Sequence, residues 1–206
     1  MNNKTIIYIV SVIVLVLVVG WYFLWSDSSL VQEEEQIQEQ VNQAEDIKLE
    51  EVKLVDLVND DFEIKHPEGW RKLTPPEGIQ VLLTNIGEEQ IDPEKEKDGF
   101  NTYLAITKDV LQGKNTEEFV AYVKNILTDS LPSIVFNKEE AANINGRDAI
   151  AIEALVTQEG YKFSTLLFMI RGEGDDMWTL SFNTSEIKWE DSKDLFYEIS
   201  NSFKLK

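Results

Sequence analysis

The sequence contains no cysteine and only one histidine, and these two shortages exclude several kinds of chemistry. Without thiols the chain has no disulfides, no thiolate metal sites and no lipid anchor attached through a cysteine. Any mechanism that uses a histidine must use His66, which precedes Pro67 at the end of a short alternation of apolar and polar residues. No nucleophile-elbow pattern accompanies it, so we interpret His66 as a structural or surface residue.

Positive charge is also scarce, because 19 lysines and arginines face 38 carboxylates for a formal net charge of −19. Such a polyanion repels phosphates and anionic headgroups, which argues against nucleic-acid binding. Segment 26–61 is strongly acidic, with twelve carboxylates against Lys48 and Lys53, and it contains neither glycine nor proline. We interpret it as a solvated stalk or linker. Four apolar residues at near-heptad spacing leave oligomerisation through this stalk open as an alternative.

A long apolar run is present at residues 5–25, and it carries no charge. At about 1.5 Å per residue it spans roughly 30 Å, the thickness of a bilayer's hydrocarbon core. Lys4 precedes the run and Asp27 is the first charge after it. The positive-inside rule therefore predicts a single-pass transmembrane anchor in the cell membrane, with residues 1–4 cytoplasmic and the C-terminal part extracytoplasmic.

A cleaved signal peptide is the alternative interpretation of this run, since Val18 and Gly20 are small enough to precede a cleavage site. Bulky Trp21 argues against cleavage, and so does the length of the run, which exceeds the roughly 7 to 15 apolar residues of a typical signal peptide. We therefore favour an uncleaved anchor. Both interpretations export the rest of the chain.

Residues 62–206 have the composition of one folded domain, since alternating apolar residues and turn signals replace the acidic stretch. Its length of about 145 residues is near the mode for single domains. Periodicity of two predicts strands at 62–66, 79–83, 100–110, 148–157, 161–171 and 177–183, and segment 133–142 is expected to be extended. The turn at Asn145–Gly146 and the glycine-containing turns that follow predict a three-stranded antiparallel meander.

Two amphipathic helices are predicted beside this sheet. Asn115 and Glu118 have the spacing of a capping box, and a stripe of apolar residues follows, so a helix is expected from Thr116 to Ser130. A second helix is expected to start near Asp191 and to carry Leu195 and Phe196 on one side. The predicted fold class is α+β, with an N-terminal transmembrane helix and an antiparallel β-sheet flanked by helices.

Three further features of the sequence bear on ligand binding. The loop at 87–99 alternates carboxylates before Gly99, as a calcium loop does, but Ala105 stands where a bidentate glutamate is required. We interpret this loop as solvated and leave cation binding open. Gly172 to Gly174 lacks the lysine of a phosphate loop and predicts a hairpin turn. The tryptophans at 70, 178 and 189 are interpreted as core residues rather than as the lining of a cleft.

The order of these elements, together with two short sequence patterns, is similar to that of a known protein family. The stretch from Asp61 to Trp70 with its Phe-x-Ile-x-x-Pro-x-Gly-Trp pattern, and the ending from Ile199 to Lys204, resemble the PsbP-like family. That resemblance covers residues 62–206 and implies an α/β/α sandwich. The family includes an extrinsic subunit of the photosynthetic water-oxidising complex, a Ran-binding import factor and small bacterial envelope lipoproteins. This chain differs from those lipoproteins in having an apolar anchor instead of a lipidated cysteine.

These observations lead to one expected function and two alternatives. We expect a membrane-anchored, non-catalytic extracytoplasmic domain that binds or supports another envelope protein. The alternatives are a small-ligand or cation-binding domain with a site between sheet and helix, and an anchored hydrolase that uses two carboxylates with separated pKa values. We assign no catalytic, cofactor-binding or metal-binding residue and no cofactor from the sequence.

Overall fold

A computed structural model describes residues 52–85, 101–158 and 160–206. These residues form ten β-strands, two α-helices and one short 3-10 turn. The strands are β1 (Leu54–Val58), β2 (Phe62–Pro67), β3 (Arg71–Leu73), β4 (Ile79–Thr84), β5 (Tyr103–Val110), β6 (Val135–Ile144), β7 (Arg147–Gln158), β8 (Tyr161–Arg171), β9 (Asp176–Ser185) and β10 (Lys204–Leu205). The helices are α1 (Thr116–Ser130) and α2 (Trp189–Asn201), and the 3-10 turn is Glu186–Lys188.

Seven strands form one antiparallel sheet in the order β3-β4-β5-β9-β8-β7-β6. Tight turns set the register of its meander. Asn145 and Gly146 both have positive φ, 50° and 84°, which is the conformation that a two-residue hairpin turn between β6 and β7 requires. The chain passes from β5 through α1, β6, β7 and β8 before it reaches β9. Strand β9 then pairs with β5 on one side and β8 on the other, which places it at the centre of the sheet. The predicted meander is confirmed.

Helix α1 covers one face of this sheet, which we call the α1 face. Its capping box forms as predicted, since the Glu118 N–H donates to Asn115 Oδ1 at 2.8 Å and the Asn115 N–H donates to Glu118 Oε2 at 3.0 Å. The helix buries its predicted apolar stripe against sheet residues that include Ile152 and Leu167. The predicted bounds of this helix are confirmed.

Helix α2 and a small second sheet cover the opposite face, which we call the α2 face. The small sheet has the order β1-β2-β10 and was not predicted from the sequence. Phe62 of β2 packs edge-on against Trp178 of β9, with ring centroids 5.3 Å apart, and Phe203 follows α2 into the same cluster. These fully buried aromatic rings hold the two sheets together, and burying each ring stabilises the fold by several kcal/mol.

The folded domain extends further towards the N-terminus than the predicted start at residue 62. Strand β1 pairs along its length with β2, so folded structure begins before residue 62 and includes part of the segment interpreted as a stalk. The anchor at residues 5–25 and most of the stalk lie outside the described residues. Within the described ranges, no helix is both long enough and apolar enough to cross a membrane.

Candidate functional site

A small open groove lies at the end of the large sheet where β8 begins and β9 ends. It encloses about 180 Å³ and is lined by residues of the β7–β8 turn, the start of β8, the end of β9 and the 3-10 turn. Phe163 and Ser185 are register partners across β8 and β9, which fixes the two walls relative to each other. The lining residues are Gly160, Tyr161, Lys162, Phe163, Ser185, Glu186 and Ile187.

Two exposed apolar side chains form the outer walls of this groove. Ile187 is 59% exposed and Tyr161 is 40% exposed, and both belong to the small set of large apolar residues that the described chain leaves in solvent. Ile187 precedes Lys188, the N-cap of α2. An apolar residue there usually packs on the fourth helical residue, which here is the polar Ser192, so Ile187 has no apolar partner of this kind.

Ser185 forms the buried part of the groove. Its side chain is only 8% exposed, yet its Oγ has no hydrogen-bond partner. A serine at the N-cap of a helical turn normally accepts a backbone N–H, but Ser185 caps the 3-10 turn without such a bond. A buried hydroxyl left without a partner costs about 1–3 kcal/mol, so this group is available to a ligand that can reach it.

An ion pair borders the groove. Lys162 Nζ lies 3.1 Å from Glu186 Oε2, and both side chains are about half exposed. Exposed pairs of this kind contribute roughly 0–1 kcal/mol, so this one offers little resistance to rearrangement when a partner binds. The groove therefore combines apolar walls, one unsatisfied hydroxyl and a weak ion pair, a combination that protein interfaces also show.

A second cluster of polar residues joins β6 and β7 to α2. Glu153 is 7% exposed and lies 3.1 Å from Lys193 Nζ. The Tyr197 hydroxyl lies between two carboxylates, 3.0 Å from Glu140 Oε1 and 3.2 Å from Glu153 Oε1, so they share its single proton. Lys138 donates to Glu140 at 2.7 Å. Its hydrogen bond holds the pKa of Glu140 below the usual range. Burial is the main cause that raises the pKa of Tyr197.

In this cluster two carboxylates of the described chain share a tyrosine hydroxyl, so its geometry bears on the hydrolase that the sequence left as an alternative. Two lysines neutralise the two carboxylates, and Glu140 is half-buried on the edge strand β6. A hydrolytic pair instead needs one carboxyl that stays protonated beside one that is ionised. The geometry favours a structural role in fixing α2 to the sheet.

A third polar group lies on the α1 face. Thr107 and Thr179 are direct register partners on β5 and β9, are 4% and 2% exposed, and have hydroxyls without hydrogen-bond partners. Asp109 follows Thr107 on the same face, and burial raises its pKa to about 6, an effect that Thr107 partly offsets.

His66, the three candidate tryptophans and the glycine turn at 172–174 all lie outside the lining of this groove. His66 is half-buried in β2, where its Nδ1 lies 2.9 Å from the Pro67 carbonyl oxygen. Trp178 is 2% exposed, and the other two weighed tryptophans pack against the same core, as expected. Gly172 to Gly174 forms the hairpin turn between β8 and β9, so that interpretation is confirmed.

The loop 87–99, where the sequence leaves cation binding open, lies outside the described residues. Elsewhere, in the parts of the chain that the structure describes, no three histidine, aspartate or glutamate side chains are grouped so that they could hold a metal ion. The groove residues Tyr161, Ser185 and Ile187 were not singled out from the sequence. The one sequence signal for them is the apolar residue before α2 without an apolar partner at Ser192.

Comparison with solved structures identifies the fold. The chain is similar to cyanobacterial PsbP from Synechocystis, with a TM-score of 0.55, 16% identity and coverage of 81% of this chain and 99% of that one. It is similar to the Ran-binding protein Mog1p of Saccharomyces cerevisiae, with a TM-score of 0.54, 16% identity and coverage of 75% and 95%.

A third similar structure is LpqN, a protein involved in cell envelope biogenesis of Mycobacterium tuberculosis. Its TM-score is 0.53 at 11% identity, with coverage of 75% of this chain and 91% of LpqN. No protein-family model and no curated protein matches the chain in sequence. At these identities the similarity is one of fold.

Proposed function

We propose, from the PsbP-like fold that the described residues share with PsbP, LpqN and Mog1p, that this chain is a membrane-anchored accessory protein. Its extracytoplasmic domain binds another envelope protein and holds it close to the membrane. The domain itself catalyses no reaction. Recognition takes place at the groove between the start of β8 and the 3-10 turn.

The observation that carries this proposal is the groove's composition. Tyr161 and Ile187 both expose apolar surface in this groove, and Ser185, which also lines it, has a buried hydroxyl without a partner. Protein interfaces commonly have an apolar centre with a small number of polar groups that gain hydrogen bonds on association. A volume of about 180 Å³ is small for a drug-sized ligand but large enough for one or two side chains of a partner protein.

The fold neighbours support a binding role. Mog1p is described as a Ran-binding protein and LpqN as involved in cell envelope biogenesis. These descriptions supply two precedents, one for protein binding and one for work at the envelope, on the same fold. The composition of the groove is a property of this chain's own residues and supports the proposal without reference to either neighbour.

The sequence supports the membrane location. The uncharged apolar run at residues 5–25 is long enough to span a bilayer, and the charge distribution around it favours export of the C-terminal domain. The acidic segment that follows would keep the domain away from anionic headgroups. An anchored domain that stands off the membrane can meet the exposed part of another membrane protein.

Affinity capture from detergent-solubilised membranes tests this function. The full-length chain serves as bait beside two variants, Ile187→Asp in the groove and Val135→Asp at the start of β6, which is a matched position because Val135 is 54% exposed. We expect one stoichiometric partner with the unchanged chain and with Val135→Asp. We expect its loss with Ile187→Asp, because a charge placed between apolar walls must be desolvated on binding.

Either of two outcomes would count against the proposal. Capture that survives Ile187→Asp would remove recognition from the groove, and capture by the first 51 residues alone would assign it to the anchor and stalk. A stoichiometric partner that is lost equally with both variants would indicate general destabilisation, which circular dichroism of the two variants detects directly.

A further inference from the structure

The outer side of α2 is acidic. Glu190, Asp194 and Glu198 recur at every fourth residue, which places them on one side of the helix, and all three are exposed, as is Asp191. Lys193, the cation within this helix, is directed to the buried Glu153 and does not neutralise them. No ion pair joins any of the four exposed carboxylates to a cation within the described ranges of the chain.

This acidic side begins next to the groove. The 3-10 turn that carries Glu186 and Ile187 leads directly into α2, so Glu190 follows Ile187 by three residues. From Glu190 to Asp194 the helix rises by about 6 Å. An extended peptide covers that distance with two residues, at about 3.3 Å each. A short segment of a partner can therefore contact Ile187 and these carboxylates together.

Ser185 gives a second and independent indication of a ligand. Its hydroxyl is more than nine-tenths buried, lines the groove and has no partner of its own. A hydroxyl can donate to a backbone carbonyl or accept a backbone N–H, and a peptide offers both groups at every residue. The exposed carboxylates of α2 do not by themselves require a hydrogen-bond partner from a ligand, whereas the buried Ser185 hydroxyl does.

We infer that the groove and the acidic start of α2 together bind a cationic peptide segment of the partner, with a large apolar side chain placed between Tyr161 and Ile187. Lysine or arginine side chains of that segment face Glu190 and Asp194, and its backbone hydrogen-bonds to Ser185. This inference rests on the proposed function and adds the chemistry of the partner. The chain's net charge of −19 favours a cationic partner at long range as well.

Defined peptides test this inference on the full chain in nanodiscs of phosphatidylcholine, a lipid without net charge. The first fluorescent peptide is Lys-Lys-Gly-Leu-Leu-Leu-Gly-Lys-Lys. A second peptide has glutamate in place of each lysine, and a third has serine in place of each leucine. We expect the first peptide to bind with the lowest Kd by fluorescence anisotropy, and empty nanodiscs measure its binding to lipid alone.

Matched variants locate the binding. We expect the double variant Glu190→Gln/Asp194→Asn to raise the Kd of the first peptide by at least about threefold, more at low ionic strength. The control Asp129→Asn/Asp148→Asn removes the same charge from exposed positions outside α2 and should leave the Kd unchanged. Ile187→Ser and Ser185→Ala should each raise the Kd, whereas Val58→Ser, at a residue that is 58% exposed, should not.

Two results would overturn the inference. Equal weakening by the α2 pair and the control pair would mean that the peptide senses only net charge. Equal binding of the glutamate peptide would exclude cationic recognition. Membrane capture with Glu190→Gln/Asp194→Asn separates these failures from the proposed function, because a partner still retained by this variant shows that the domain binds an envelope protein of other chemistry.

Discussion

Thr179 and Thr165 show how similar threonines differ in their effect on stability. Both are almost fully buried on the α1 face of the large sheet. The Thr165 hydroxyl lies 2.7 Å from Asn183 Oδ1 and donates to it, and Asn183 in turn donates to Ser181 at 3.0 Å. The Thr179 hydroxyl has no partner. One hydroxyl therefore belongs to a buried network, and the other bears the cost of desolvation alone.

Replacing each of these threonines by valine keeps the shape of the side chain and removes the hydroxyl. We expect Thr179→Val to raise the free energy of unfolding by about 1 kcal/mol, because valine buries the same volume without an unpaired donor. We expect Thr165→Val to lower it by about 1–3 kcal/mol, because Asn183 loses its donor. Urea denaturation measures both. Equal losses for the two variants would mean that an ordered water satisfies Thr179.

Asp109 gives a prediction about pH. Burial raises the pKa of its carboxyl to about 6 from the ordinary 3.8, so the folded state holds the proton more tightly than the unfolded state. The charged carboxylate therefore destabilises the fold above pH 6, and this penalty disappears as the pH falls through 6 towards 4. At about 1.4 kcal/mol per pKa unit, the full penalty is on the order of 3 kcal/mol.

Asp109→Asn removes this titration. We expect the variant to be more stable than the unchanged chain at pH 8, by up to about 3 kcal/mol, and the difference to vanish near pH 4. Guanidinium denaturation at a series of pH values measures the difference. A difference that does not vary with pH would show that Asp109 titrates normally in the folded domain.

At the scale of elements, α2 depends on the cluster at Glu153. The Tyr197 hydroxyl bridges Glu140 of β6 and Glu153 of β7, while the ring packs edge-on against Phe168 of β8 at 5.3 Å. One side chain thus ties the helix to three neighbouring strands. This attachment fixes the middle of α2 against the large sheet.

Tyr197→Phe tests that attachment. We expect a loss of about 1–2 kcal/mol of unfolding free energy, because the two carboxylates lose the one hydroxyl proton that they share while the aromatic packing remains. Tyr122→Phe is the matched control. Tyr122 is a half-buried tyrosine of α1 that stacks with Lys114, and no hydrogen bond from its hydroxyl is formed in the described chain. Thermal unfolding compares the two, and equal losses would contradict the role given to the Tyr197 hydroxyl.

Local signals decided which elements could be predicted from the sequence. The bounds of α1 follow from Asn115 and Glu118 and from the apolar period, and β8 follows from the turns on both sides of it. Strand β1 could not be predicted in this way. Its five residues lie in an acidic stretch, and its pairing with β2 depends on β2 resting on the α2 face. Such contacts form only in the tertiary structure.

The groove could not be predicted from the sequence for a related reason. Ser185 lies more than twenty residues after Tyr161 and Phe163 in the chain. It reaches them only through the pairing of β8 with β9. A serine before a helical turn predicts a cap, so its unpartnered hydroxyl is visible only in the structure. The polar Ser192, at the fourth position of α2, indicates that Ile187 lacks its usual apolar partner. An apolar residue before a helix is usually buried, however, so this indication alone does not predict an exposed Ile187.

At the scale of the whole molecule, the proposal requires the domain and the N-terminus to lie on opposite sides of a membrane. The chain has no cysteine, so a single introduced cysteine is the only thiol that a maleimide can label. We expect Asp129→Cys to react with a membrane-impermeant maleimide in right-side-out vesicles, and Asn3→Cys to react only in inverted vesicles. Labelling of both residues from the same side would contradict a single-pass anchor.

The most direct test of the central claim is site-specific photo-crosslinking in intact membranes. A photoreactive amino acid replaces Ile187 in the groove or, as the matched control, Val58, because these residues are 59% and 58% exposed. The account predicts that Ile187 crosslinks to one envelope protein in a defined product that Val58 does not form. The absence of any product at Ile187, or the same product at both positions, would contradict recognition through the groove.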